Sequence, residues 1–266
     1  MNGFPSTGRA LYVPFSDLRR ASPFTWRTAQ AFLALFAVCV VLALLDPRLI
    51  NGITVWAKPA KFYLSLSLHL ATVTAALLLL PEKVMRGWQT VAACGVIVAM
   101  SVFETLYISF RAARAEASHF NPTPLGDLFY TMMGVGAVLI MVATAVVGLQ
   151  VLRHGPGTLL SRAVGWSFIF SAVLTIWVGL TLGGMGSHRI GGDMTDATGL
   201  PLFGWSTTGG DLRVSHFFSL HIVQIAPFIA LFGNRNLMWA AMAGVIGVAV
   251  ATYFQALAGI PFIPLA

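Results

Sequence analysis

The sequence predicts an all-α fold, a polytopic membrane bundle of seven transmembrane helices, and three observations carry that expectation. Hydrophobic residues fill 57% of the 266 positions and charged residues only 9%, with a mean hydropathy of +0.81, whereas soluble domains carry about a quarter charged residues. Seven apolar stretches, residues 29–45, 60–80, 89–110, 128–151, 164–185, 214–233 and 236–257, approach the roughly 20 helical residues that cross a hydrocarbon core about 30 Å thick. Turn-forming and charged residues punctuate the gaps between them.

Taken in order, residues 1–28 form an N-terminal interfacial segment with Pro5, Pro14, Pro23, Arg19 and Arg20. The first apolar run ends at Asp46-Pro47 without a small-residue cleavage site, the mark of a retained span and not of a cleaved signal peptide. Pro59 sits near the start of the second span, where a missing N–H costs little. Pro81-Glu82-Lys83, the stretch His119 to Pro124, and His154-Gly155-Pro156-Gly157 close the second, third and fourth spans. Only Gly233-Asn234-Arg235-Asn236 separates the sixth from the seventh, which predicts a tight antiparallel hairpin. Pro227 falls within the sixth and should kink it. The one long connection, Gly186 to Arg213, is Gly-rich, and such loops in compact bundles tend to be functional. Residues 29–257 form one transmembrane domain and 258–266 a tail.

Lys and Arg near span ends set orientation. With the N-terminus inside, Arg9, Arg19, Arg20, Arg27, Lys83, Arg86, Arg153, Arg162 and Arg235 are cytoplasmic. Arg48, Lys58, Lys61, Arg111, Arg114, Arg189 and Arg213 lie on the other side. The first split exceeds the second, so N-in and C-out is expected, in a bacterial inner membrane with lipids as the surrounding partners. The formal charge of +7 is scattered between apolar runs and forms no basic, aromatic-rich face for nucleic acid. Cys39 and Cys94 sit inside apolar runs without CxxC or Cys/His spacing, which argues against a disulfide framework. The seventh span has no lysine for a retinal Schiff base, and P-loop, Rossmann and GxSxG signatures are absent. Gly183, Gly184, Gly186, Gly244 and Gly247 suit close helix contacts or turns.

An ionisable group facing lipid tails is costly, so the informative residues are the polar ones inside spans. His69, Glu104 and His221 lie roughly 10–15 Å from the same membrane face at 1.5 Å per residue. Ser65, His69 and Thr72 share one face of the second helix, Ser101, Glu104 and Arg111 one of the third, and His221 and Gln224 one of the sixth. A common interior cluster follows, although a lone intramembrane His is as often only an interhelical hydrogen bonder. On the same side lie His119, Asn121, His188, Trp205 and His216. Asp193, Asp196 and Asp211 read as solvated turn residues. Lys58 and Lys61 read as snorkelling side chains, with Glu104 or a lipid phosphate as alternative partners.

The spacing Ser65-x-x-x-His69 and the later histidines resemble the seven-helix metal hydrolases that include alkaline ceramidases and progestin-receptor-like proteins. That resemblance implies a zinc held by three histidines beside an acid and a serine. His216 and His221 depart from it, being about 140° apart round the helix instead of sharing a face. Segments such as Lys58-Pro-Ala-Lys-Phe62, Ser118-His-Phe-Asn121 and His216-Phe-Phe-Ser-Leu-His-Ile-Val-Gln224 also resemble a group of bacterial seven-helix membrane proteins.

Three mechanisms are open at this stage. In the first, His69, His221, His188 and His216 hold a divalent metal, zinc or iron. Glu104 and Ser65 are then catalytic, and Lys61, Arg111, Asn121, Trp205 and Gln224 bind a lipid or small amphiphilic substrate. In the second, His69 and His221 are axial ligands of a haem b. In the third, Glu104 and the histidines relay protons in a proton-coupled transporter of small molecules.

Overall fold

A computed structural model describes residues 15–121 and 123–265. The protein is an all-α, multi-pass membrane bundle. Seven of its helices are long and apolar enough to span: α2 (Pro23–Leu45), α3 (Ala57–Leu77), α5 (Trp88–Ala113), α6 (Pro124–His154), α7 (Leu159–Met185), α8 (Leu212–Ala230) and α9 (Arg235–Leu257). Two short helices, α1 (Phe15–Ala21) and α4 (Glu82–Met85), lie at the ends of the first and second spans. Two two-stranded ribbons complete the described chain: β1 (Leu49–Ile50) with β2 (Ile53–Thr54), and β3 (Arg189–Ile190) with β4 (Gly210–Asp211).

The helices begin one to six residues before their apolar runs, because backbone hydrogen bonding extends into the interface where hydropathy is lower. Thus α2 starts at Pro23 and not at residue 29, with proline in its first turn where the orphan N–H is no loss. Thr123 and Thr158 cap α6 and α7 by accepting from Gly126 N and Ser161 N. Asn234 caps α9 in the expected hairpin from α8, accepting from Leu237 N at 2.9 Å. Gly186 ends α7 at φ 61°, the left-handed geometry that glycine adopts without a Cβ penalty.

Consecutive spans pack as antiparallel neighbours, α2 on α3, α5 on α6, α6 on α7, α7 on α8 and α8 on α9, with α3 also against α5. Leu70, Val73, Ile97, Val147 and Phe168 are fully buried where α3, α5, α6 and α7 converge. Lipid tails are as apolar as these side chains, so close van der Waals fit, not hydrophobicity, holds the helices together. The tightest approach is α6 on α7. A Cβ at Gly148 would stand 2.7 Å from Phe168 Cβ and 2.8 Å from the Gly165 carbonyl, and one at Gly165 would collide with Leu152. These are the contact glycines of the bundle. Gly184, Gly244 and Gly247, expected to serve that purpose, face open space.

One end of the bundle, here the loop face, carries the start of α3 and α8, the end of α5 and the 186–211 connection. The β3–β4 ribbon pairs Arg189 with Asp211 and Ile190 with Gly210. Asn51, beside β1, accepts from Asp196 N at 3.0 Å and Thr195 Oγ1 at 2.9 Å, which ties the loop to the first ribbon. Gly210 lies so close to α9 that a Cβ would overlap the Ala256 carbonyl.

Candidate functional site

The deepest polar layer joins α3, α6 and α8. His69, buried on α3, meets Thr144 of α6 at 3.0 Å through Nε2. One turn on, Thr72 Oγ1 accepts from Gln224 Nε2 of α8 at 3.3 Å, and the Gln224 carbonyl oxygen lies 3.1 Å from His221 Nδ1. The backbones of α3 and α8 stay apart, and side chains bridge the seam between them. The expected pairing of His221 with Gln224 on one face is therefore a real contact, and the phenyl ring of Phe217 packs on the imidazole at 4.1 Å.

Glu104 lies on α5 with 8% of its surface exposed, one turn from fully buried Ser101. Among the described residues its carboxyl group accepts no hydrogen bond and closes no ion pair, and its charged neighbour is Lys58. The Lys58 ammonium forms no hydrogen bond within the described residues either, and sits 6.0 Å from the Phe62 ring. Lys58 is half-buried at the start of α3, with Glu104 among its charged neighbours. Ser101 Oγ, Tyr107 Oη, Thr175 Oγ1, His216 Nδ1 and Ser219 Oγ are also buried without a partner among the described residues. Groups of this kind are scarce in folded proteins and accumulate where something other than protein is bound.

Above this acid lies a lid of paired charges. Arg213, at the start of α8, donates to Asp211 Oδ2 at 2.7 Å, Asp196 Oδ1 at 3.0 Å and the Gly204 carbonyl at 2.6 Å. Arg189, its side chain 3% exposed, shares Asp196. Lys61 donates to the Phe203 carbonyl at 2.9 Å. Asp211 is buried and accepts from Ser206 N at 2.9 Å. Asp193 is exposed, as the solvated-turn reading requires. Asp196 and Asp211 correct that reading, because the fold closes two arginines onto them. Burial pushes the Asp196 carboxyl up, but Arg213 and Arg189 outweigh it and hold it below its ordinary value.

Two histidines flank the lid. His119 is enclosed by Phe62, Phe120 and Tyr130, with ring centroids at 6.2, 6.3 and 5.4 Å. Burial, reinforced by Lys58, holds its pKa well below 6.5. His188 accepts from Arg189 Nε at 3.3 Å, and burial together with Arg213 lowers its pKa to about 4. Both imidazoles are therefore neutral at pH 7.

Several expected site residues have other employment. Ser65 is exposed on the outside of α3 although His69, four residues later, is buried, so it does not join the cluster. Arg111 turns to Glu116 at 2.7 Å and over the Tyr107 ring, away from the Ser101–Glu104 interior. Asn121 shapes the turn into α6, donating to the Ala117 carbonyl and accepting from Thr123 N. Trp205 packs between Phe203, Phe217 and Phe262, forming the aromatic plug of the lid. Sequence reading passed over the Arg189–Asp196–Arg213 cluster, since no spacing rule brings residues 7 and 17 apart in a loop onto one another.

The donor sets for a resident metal or haem do not fit this geometry. Among the described residues no three His, Cys, Asp or Glu side chains gather in a way that holds a metal ion, so His69, His188, His216, His221 and Glu104 form no ligand shell. For haem, the Nε2 atom of His69 that would meet iron is engaged by Thr144.

No family model, curated protein or solved structure matches the chain. Fold and site together define a multi-pass α-helical membrane protein with a polar interior beneath a loop-built lid of paired charges.

Proposed function

We propose that the protein is a proton-coupled transporter of a small anionic or amphiphilic molecule that reaches the site from the loop face. One observation carries this reading. A buried carboxyl group, Glu104, has the half-buried Lys58 as its charged neighbour, and neither side chain forms a hydrogen bond or ion pair with a described residue. Intramembrane ionisable groups are costly and persist where they bind ions or pass protons. A ligand carboxylate or phosphate entering under Arg213 and Lys61 would compete with Glu104 for Lys58. Protonation of Glu104 then offsets the charge, which is the thermodynamic link a proton-coupled carrier requires.

Two supports come from the bundle. The α3–α8 seam carries one side-chain hydrogen bond, Gln224 to Thr72, beside apolar packing of Val223, a joint that can open without melting a helix. The neutral His119 and His188 lie beside the lid and can accept a proton as it moves. The metal-dependent enzyme and the haem protein stand behind this reading, since their ligand sets are not assembled.

The test is reconstitution into liposomes containing a pH-sensitive dye. External acetate, succinate and inorganic phosphate are offered in turn. At least one should drive proton uptake in the wild type, and Glu104→Gln should reduce that uptake about 100-fold while leaving the protein folded. Uptake equal in the two proteins would refute the assignment.

A further inference from the structure

The end of the bundle opposite the loop face holds a cavity that shares no residue with the polar groups described above. It measures about 680 Å³ and lies between α1, the first turn of α2, the end of α3 and the start of α5. Arg19, Arg20, Arg27 and Arg86 line it. Of these, Arg86 pairs with Glu82 at 2.9 Å, with both side chains more than two-thirds exposed. Among the described residues Arg19, Arg20 and Arg27 close no ion pair. Within the cavity Ser22 is 4% exposed, and its hydroxyl is buried without a partner among the described residues. The opposite wall is apolar, from Phe24, Leu77 and Val91, of which Phe24 and Val91 are themselves well exposed at its mouth.

We infer that this cavity binds one anionic phospholipid, the phosphate among the four guanidinium groups and the Ser22 hydroxyl, an acyl chain against the apolar wall. Guanidinium forks match phosphate oxygens in pairs, and basic pockets between spans are established anion sites in membranes. The level is right for a headgroup, because α2 and α5 begin here and Trp88, 78% exposed, marks the interface beside the cavity. A free phosphate would use the guanidinium groups and leave exposed Phe24 and Val91 idle. A molecule with an anionic head and a hydrocarbon tail uses both. The orphaned Ser22 hydroxyl points to a ligand oxygen, since buried hydroxyls are seldom left unpaired. Asp17 on α1 and Glu82, which pairs with Arg86, are too few to neutralise the four arginines.

The full chain, purified and delipidated in detergent, is titrated with dioctanoyl-phosphatidylglycerol, dioctanoyl-phosphatidylcholine and inorganic phosphate while its melting temperature is followed. The expected result is a saturable rise of about 4 °C with the glycerol lipid and at most a quarter of that rise with the other two. Equal rises with both lipids, or a full rise with phosphate alone, would overturn the lipid assignment. Arg20→Ala/Arg27→Ala should weaken the glycerol lipid at least tenfold, and Ser22→Val at least threefold. Should the double variant fail to fold, Arg27→Lys serves in its place, keeping the charge and losing the planar fork. An apparent affinity within threefold of wild type in the arginine variant that folds would equally overturn the proposal.

Discussion

At the scale of single residues, the unusual feature is charge in a loop held by neighbours and not by water. Asp196 sits between Arg189 and Arg213, and removing one partner of such a set strands the remaining charges. Asp196→Asn should therefore destabilise the protein by about 3 kcal/mol, read as a fall in melting temperature in detergent. Asp193→Asn, at an exposed site, should change it by less than about 0.5 kcal/mol. The neutral histidines add a pH dependence. Because the folded pKa of His188 lies near 4 and its reference value is 6.5, the unfolded chain binds the extra proton between those limits. Lid stability should be full above pH 6.5 and decline down to about pH 4, as measured by hydrogen exchange of the 186–211 amides. His188→Gln should flatten that part of the profile. Asp196 acts in a lower window, its contribution being lost only as pH falls below 3.8 through its depressed folded value.

At the scale of elements, backbone proximity decides which positions tolerate change. Gly210 belongs to the β4 strand that carries Asp211 and presses on the end of α9, so the added methyl of Gly210→Ala meets a carbonyl and not a flexible side chain. Overpacking of this kind costs about 1–3 kcal/mol, and here it should also loosen the ribbon that positions Arg213. Gly247→Ala on α9, which faces open space, should leave the melting temperature unchanged or raise it slightly. The contrast separates two glycines that look equivalent along the chain. It also identifies α8 as the element joining lid to interior, with Arg213 in the lid at its start and His221 and Gln224 at the seam farther along.

At the scale of the whole molecule, α3 is packed on α2 and α5, α8 is packed on α7 and α9, and the two meet through Thr72 and Gln224. If the carrier works by opening this seam, joining Thr72→Cys to Gln224→Cys with a short bis-thiol cross-linker should stop solute-driven proton uptake. Reversal with a cleavable linker should restore it. Uptake that persists in the fully cross-linked protein would rule out the seam as the moving joint. The resident-metal alternative is tested at the same scale. With no ligand shell assembled, prolonged treatment with a strong chelator should shift the melting temperature by less than 1 °C, whereas removal of a structural or catalytic metal lowers it by far more.

The sequence by itself determined the seven spans, their hairpin order and the presence of polar groups too deep for lipid, because burial in a bilayer is imposed by composition and length. It also marked His69, Glu104, His221 and Gln224, since an ionisable or amide side chain inside an apolar run has few unremarkable explanations. What those groups touch was decided by tertiary structure alone. Helical periodicity placed Ser65 and His69 on one face, but in the fold Ser65 is exposed while His69 is buried against Thr144 of α6. The lid was the least legible part. Arg189, Asp196, Asp211 and Arg213 come together through a two-residue ribbon and a looped connection, where sequence carries no periodic signal and only the closed fold brings the charges together.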